Sequence, residues 1–338
     1  MADRTAGLLR RISGSRRARV PKTSAAPILS DASADAELRE RGYARLPDPL
    51  LDAETAAEIR GWFDQIYPGR RGGWHNAFNE PYVDYRRKAQ HLLHAALADQ
   101  LAAALPGYEP FLFTYLVKWR GEDADDNFLY CHRDWMYVDE TAGDRCYVVF
   151  LALEDIDEQN GCVEVLPHGN EVDRMLRGSD LVAPWMQHEH LIHPHMSPVP
   201  LATGDAVVWD GAIVHASLPN QTAEPRVAVG IWLRPIGAQL VHYRRVGPDL
   251  AELHHVEPEF FAEYTPETLQ GFLDELVPMA TVPTGQTDYD ADEFEDLLVR
   301  TVRGDLSAPL SGGWRAGSDR GFAHPVADPV GRGLTRWR

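Results

Sequence analysis

The sequence predicts a mainly β fold, an antiparallel sandwich or jelly roll with flanking helices. Between residues 111 and 234, short segments rich in Val, Ile, Leu and aromatic residues alternate with turn residues such as Gly, Pro, Asn and Asp. Many short strands separated by turns are typical of this architecture. At 338 residues and 44% hydrophobic content, the chain is long enough to bury a full core.

Three helices are predicted before the strands. Residues 33–41 and 52–63 have helical spacing; Gly42 is placed to end the first helix and Asp52 to cap the second. A third helical pattern covers residues 85–105, where a Pro-Gly pair ends it. We therefore expect three helices on the N-terminal side of the β fold.

Seven strands follow, and two acidic helices come after them. The strands are predicted over residues 111–119, 130–137, 147–153, 162–166, 206–209, 212–217 and 226–234. The helices are predicted over 266–276, with Thr265 as N-cap and Pro266 in the first helical position, and over 291–302. The sequence thus divides into a basic, disordered tail (1–30), a β domain with N-terminal helices (31–245) and an acidic helical extension with an irregular tail (246–338).

Composition restricts the partners and the compartment. A net charge of −18 disfavours nucleic acid, whose phosphates such a surface repels. We find no run of eighteen or more apolar residues, and hence no membrane span, and no secretory signal. Three cysteines, an odd number in apparent strands, indicate reduced core residues of a cytoplasmic protein. A small molecule is the expected partner, and the oligomeric state is left open.

An H-x-D motif, His132 and Asp134, carries the strongest functional signal. Alternate side chains of a strand share a face, so both would point the same way. Each of the 14 histidines could lie near an acidic residue by chance, and the motif alone is weak. A third ligand, His215, on a distant strand would complete two imidazoles and a carboxylate. That set leaves one side of an iron(II) ion open.

A candidate carboxylate receptor lies close to the third ligand. Arg226 opens the last predicted strand, and Ser217 is two residues past His215. A guanidinium presents parallel donors to both oxygens of a carboxylate. Lys118, on the strand before the ligand strand, is either a surface lysine or a further anion contact at the pocket mouth. Tyr130 or Met136 is expected to border the pocket, and Trp135 and Tyr137 to be core.

These residues, in order and spacing, resemble the phytanoyl-CoA dioxygenase family of iron(II)- and 2-oxoglutarate-dependent oxygenases. The resemblance covers residues 112–235 and includes Lys118, the H-x-D motif, an N-G-C segment at 160–162 and a T-G-D segment at 203–205. It ends with the His-Ala-Ser run at 215–217 and Arg226. The family's P-G-S-H turn is replaced here by residues 167–170, Pro-His-Gly-Asn, which are not ligands in the family.

The resemblance implies a double-stranded β-helix in which His132, Asp134 and His215 bind iron. Ser217 and Arg226 would bind the distal carboxylate of 2-oxoglutarate, and we add Lys118 as a candidate. The implied activity is oxidation of a substrate by O2 with release of succinate and CO2. Hydroxylation of a small polar metabolite or natural-product intermediate is the leading interpretation.

Two alternative functions remain open at this stage. The chain could be a non-catalytic β-sandwich that binds a ligand, or a cupin-type iron enzyme that does not use 2-oxoglutarate. Separately, the histidines at 188, 190, 193 and 195 suggest a second metal site. Pro194 and Pro198 interrupt any helix that would align them, which favours a solvated loop over the active site.

Overall fold

The computed structural model describes residues 26–69, 71–77, 80–120, 129–172, 175–265, 267–286 and 288–305. Its centre is a pair of facing antiparallel sheets, as predicted. The predicted tails lie largely outside the described residues, as does Pro266. No helix among the residues described is long and apolar enough to cross a membrane.

The larger sheet has six strands in the order β1-β8-β5-β10-β3-β2, and the smaller has four in the order β4-β9-β6-β7. The strands of the larger sheet are β1 (Tyr43–Arg45), β2 (Trp74–Asn76), β3 (Tyr108–Lys118), β5 (Tyr147–Ala152), β8 (Ala206–Asp210) and β10 (Arg226–Pro235). Those of the smaller are β4 (Leu129–His132), β6 (Val163–Val165), β7 (Ser197–Val199) and β9 (His215–Ser217).

Strand β10 shows why the larger sheet is buried on both faces. Val229 and Ile231 belong to a hydrophobic cluster shared with the N-terminal helices, whereas Ala228 and Trp232 belong to a cluster between the two sheets. Successive strand residues point to opposite faces, so an unbroken apolar run suits a strand covered on both sides. The apolar run that marked this strand in the sequence therefore reflects its central place in the sheet.

Six α-helices lie in the residues described; the first two have the caps that the sequence placed, whereas the helix predicted to follow Thr265 begins at Leu269 with Thr268 as its N-cap. They are α1 (Ala32–Arg41), α2 (Ala53–Ile66), α3 (Val83–Ala104), α4 (Pro258–Glu263), α5 (Leu269–Glu275) and α6 (Ala291–Val302). Asp52 accepts a hydrogen bond from the Thr55 amide at 2.8 Å, and Gly42 ends α1 with a φ of 83°. These side-chain and glycine caps satisfy backbone groups that the helix itself leaves unpaired.

The structure differs from the predicted elements in four main places. The strand predicted over 130–137 ends at His132, and the one predicted over 212–217 begins at His215. The histidine-rich segment forms two short 3-10 helices, Pro184–Leu191 and His193–His195, and is not an irregular loop. A third sheet, β11 (Val241–Arg245), β12 (Leu250–His255) and β13 (Ala280–Pro283), lies partly in the region expected to be helical.

Candidate active site

The three predicted metal ligands meet in the smaller sheet. His132 ends β4 and is paired in register with His215, which begins β9; their ring centroids are 4.2 Å apart. Asp134 lies two residues beyond the end of β4. One potential ligand atom from each residue lies within 4.8 Å of the other two. The sequence prediction placed these side chains on one face, and the structure brings them together.

Both imidazoles are oriented by backbone carbonyls. The Nδ1 atom of His132 is 2.9 Å from the carbonyl of Tyr130, and that of His215 is 3.2 Å from the carbonyl of Ile213. A carbonyl only accepts, so Nδ1 carries a proton in each ring, and Nε2 is the atom left to bind a metal. Desolvation, and then the nearby His215, lowers the pKa of His132 to about 3, which keeps its ring neutral.

Two residues that the sequence did not reveal hold Asp134. The indole Nε1 of Trp209 donates to Asp134 Oδ2 at 3.3 Å, and its ring centroid is 5.0 Å from that of His215. Arg177 donates through Nε to the Asp134 carbonyl at 2.8 Å, and its own carbonyl accepts from the Met136 amide at 3.1 Å. These bonds to Arg177 replace the strand ladder, which explains why β4 ends at His132.

A buried ion pair fixes Arg177 in turn. Its guanidinium contacts Glu140, and both side chains are less than a tenth exposed. Glu140 raises the pKa of Arg177 despite its desolvation, so the guanidinium stays charged. No local pattern around Arg177 could have indicated this role, because Asp134 and Arg177 are 43 residues apart.

The donor set fits iron(II). Two imidazoles and one carboxylate are the ligands of non-haem iron oxygenases, and they leave part of the coordination sphere for a cosubstrate and O2. Asp134 is 9% exposed and His215 is 6% exposed, whereas His132 is half-buried, so the site is sheltered on the side of Asp134 and His215. Tyr130, 38% exposed, borders this site with its ring centroid 5.7 Å from that of His132.

Arg226 and Lys118 form a second group of functional side chains. They are register partners on β10 and β3, and they are 2% and 0% exposed. Lys118 Nζ donates to the carbonyls of Ser217 at 2.9 Å and Leu218 at 2.6 Å. Arg226 donates from Nη2 to the Gly161 carbonyl at 3.1 Å. Lys118 is therefore buried beside Arg226, and the alternative of a surface lysine is wrong.

Gly161 allows this close arrangement. Its φ is +91°, and a Cβ there would lie 2.5 Å from the Leu218 carbonyl oxygen and 3.2 Å from Lys118 Cδ. Only glycine combines that backbone conformation with such a near approach. The N-G-C segment noted in the sequence thus packs directly against the two cations.

In the described part of the chain neither cation has a carboxylate in direct contact, although Glu154 interacts with Arg226 and Glu164 with Lys118 at longer range. Among the residues described, none places a carboxylate within 4.0 Å of either charge, and the Nε of Arg226 has no hydrogen-bond partner. Desolvation lowers the pKa of Arg226 to about 10; desolvation and then Arg226 lower that of Lys118 well below its usual value. Buried charges are normally paired. This site is therefore suited to a carboxylate ligand.

Four further residues near the H-x-D motif were predicted either to border the pocket or to lie in the core. Of the two residues predicted as alternatives at the pocket, Tyr130 lies beside His132, whereas Met136 is buried and packs with Leu176 and Val241. Tyr137 is core, as predicted. Trp135 is half-buried and packs against His242, with ring centroids 4.8 Å apart.

The chain belongs to the phytanoyl-CoA dioxygenase family, because the model of this family matches residues 38–228. The family assignment made from the sequence is thereby confirmed, together with iron(II), 2-oxoglutarate and O2 as the cofactors of an enzyme of this class.

Solved structures similar to this chain share little sequence with it. The carbocyclase SnoK from nogalamycin biosynthesis is 17% identical, with a TM-score of 0.47, over 76% of this chain and 96% of its own. The epimerase SnoN, in complex with Fe3+, α-ketoglutarate and nogalamycin RO, is 21% identical, with a TM-score of 0.46, over 77% and 96%. HygX from Streptomyces hygroscopicus, with nickel and 2-oxoglutarate bound, is 13% identical, with a TM-score of 0.45, over 61% and 88%.

Proposed function

We propose that this protein hydroxylates a small polar metabolite or natural-product intermediate, with conversion of 2-oxoglutarate to succinate and CO2. The observation that carries the proposal is the convergence of His132, Asp134 and His215, whose ligand atoms lie within 4.8 Å of one another. The nearby pair of buried cations supports the use of 2-oxoglutarate.

In this proposal the three ligands hold iron through the Nε2 atoms of the histidines and the carboxylate of Asp134. Iron(II), when bound, supplies O2 activation coupled to decarboxylation of 2-oxoglutarate. The chain's own contribution is orientation: the carbonyls of Tyr130 and Ile213 fix the two rings, and Trp209 restrains one oxygen of Asp134. Such outer contacts set the geometry and affinity of the metal site.

Arg226, Lys118 and Ser217 would bind the distal carboxylate of 2-oxoglutarate. Arg226 has an unused donor, and Lys118 lies in register beside it. Ser217 is 3% exposed and is two residues along β9 from His215, so it connects the carboxylate site to the metal ligands. A dianionic cosubstrate would relieve the repulsion between the two buried cations and satisfy their donors.

The charge of the chain favours an uncharged or cationic substrate. A net charge of −18 repels a polyanionic CoA ester unless a local basic patch receives it. Tyr130 offers a partly exposed aromatic face beside the metal ligands, which can pack against an apolar surface or a cation. Hydroxylation ranks first among the oxidations because it needs no residue beyond those that hold the metal.

Succinate release by the purified protein tests the proposal. Incubation with Fe(II), 2-oxoglutarate and O2 should yield succinate, more so with a good substrate, and His215→Ala should yield none. No succinate under these conditions would contradict the proposal. A ligand-binding protein without activity would oxidise nothing, and a cupin-type iron enzyme would oxidise its substrate without 2-oxoglutarate.

A further inference from the structure

The opposite face of the metal-binding strand carries a second group of metal-ligating side chains. Cys131 lies between Tyr130 and His132, and alternation along β4 directs its side chain away from the iron ligands. It is 0% exposed and meets the 3-10 helices that follow Pro184. Its Sγ is 4.0 Å from His193 Nδ1, and its amide donates to Glu189 Oε1 at 2.6 Å.

The spacing of these atoms matches a tetrahedral metal site. His193 Nε2 is 3.6 Å from Glu189 Oε1, and the three potential ligand atoms lie within 4.8 Å of one another. Zinc bond lengths of about 2.3 Å to sulfur and 2.0–2.2 Å to nitrogen and oxygen place tetrahedral donors about 3.4–3.6 Å apart. The 4.0 Å distance is to Nδ1 of His193 and the 3.6 Å distance is to its Nε2, so the ring would turn to direct one of these nitrogens at the ion.

We propose that Cys131, Glu189 and His193 bind a zinc(II)-type cation on the outer face of β4, with water as the fourth ligand. The Cys131 thiol gives its proton to solvent as the sulfur–metal bond forms. A thiolate and a carboxylate then neutralise the two charges of the ion. Sulfur and imidazole select zinc-like metals over calcium or magnesium, which prefer oxygen ligands.

The surroundings provide both access and a favourable field. The side chains of His193 and Glu189 are 37% and 23% exposed, so an ion and its water can reach the site from solvent. Glu164, on β6, interacts electrostatically with both Cys131 and His193 and adds negative charge. The bound ion would join the segment 184–195 to β4 immediately beside His132, and so stabilise the strand that presents the iron ligand.

Cobalt(II) binding to the full-length, metal-free protein tests this site, because a cobalt–thiolate bond gives a charge-transfer absorption that the iron ligands cannot produce. His215→Ala removes the iron site and provides the background. We expect this variant to bind one cobalt per chain with the thiolate absorption and to exchange it for zinc. Adding Cys131→Ser or His193→Gln should abolish the absorption and weaken zinc binding by at least about 100-fold.

His190→Gln is the matched control, because His190 belongs to the same segment but is not in the cluster. It should keep the absorption. Thermal unfolding of each metal-free variant shows whether the fold is retained, and His193→Gln tests the site even if Cys131→Ser does not fold. The proposal is overturned if cobalt gives no thiolate absorption, because Cys131, Glu189 and His193 would then form a hydrogen-bonded cluster only. It is also overturned if the absorption persists without Cys131 or His193.

Discussion

Arg226→Met should weaken 2-oxoglutarate binding strongly and leave iron binding nearly unchanged. Methionine keeps the length of the side chain but removes the charge and the donors. The guanidinium is 2% exposed, and its Nε is unused, so a bound carboxylate would be held in a dry, bidentate contact. Truncating one partner of such a pair costs roughly 2–5 kcal/mol. That range corresponds to an increase in Kd of roughly 30- to 4,000-fold.

Thermal unfolding of the iron-loaded protein under anaerobic conditions measures this effect without turnover. At a 2-oxoglutarate concentration of about 100 times its Kd, binding stabilises the wild type by about 2.7 kcal/mol. At the same concentration the variant should gain less than about 1 kcal/mol. The variant without cosubstrate is its own baseline, because the loss of Arg226 also removes the hydrogen bond to the Gly161 carbonyl and can lower the unfolding temperature by itself.

Arg234→Met is the matched control on the same strand. Arg234 donates to Glu109 at 2.9 Å at the far end of β10, so its loss should leave the 2-oxoglutarate stabilisation intact. An unchanged 2-oxoglutarate shift in Arg226→Met would refute the proposed role of Arg226. Equal losses in the two variants would point to a general effect of altering β10.

Three further results are expected. Alanine at His132, Asp134 or His215 should abolish turnover with the circular dichroism spectrum retained; near-normal iron content and rate in any one would remove that residue from the ligand set. Trp209→Phe should weaken iron affinity by about 10- to 100-fold, because Asp134 loses a hydrogen bond, whereas Trp185→Phe, at an indole that has no hydrogen-bond partner among the described residues, should not. Mass spectrometry after turnover with labelled O2 and high chloride should find one labelled oxygen in the product; chlorination would contradict the argument that the Asp134 carboxylate leaves no ligand position for halide.

The sequence predicted the parts of the site that depend on local pattern. Two-residue periodicity and the order of motifs predicted that His132, Asp134 and His215 come together, as they do, and indicated Arg226 as a carboxylate ligand, which stays a prediction. Trp209 and Arg177 were missed as positioning residues, because they act across contacts of 75 and 43 residues. A buried tryptophan in an apolar strand and an arginine in a connecting segment carry no local signal of what they bind.

The third sheet was missed because its strands lack a clear apolar alternation. Strand β12 begins with Leu250, which is 45% exposed, and contains His254, which is 0% exposed, so its polar and apolar residues do not mark its faces. The predicted helix nearby was shifted rather than wrong in kind, since α5 runs from Leu269 to Glu275. The proposed boundary between 31–245 and 246–338 stays a prediction.

A crystal structure grown anaerobically with Fe(II) and 2-oxoglutarate tests the central claim most directly, because anomalous scattering identifies the iron without reference to activity. We expect one iron peak bonded to His132, Asp134 and His215, with the distal carboxylate of 2-oxoglutarate against Arg226 and Lys118. Iron bound by other residues, or a 2-oxoglutarate carboxylate held away from both cations, would contradict the account.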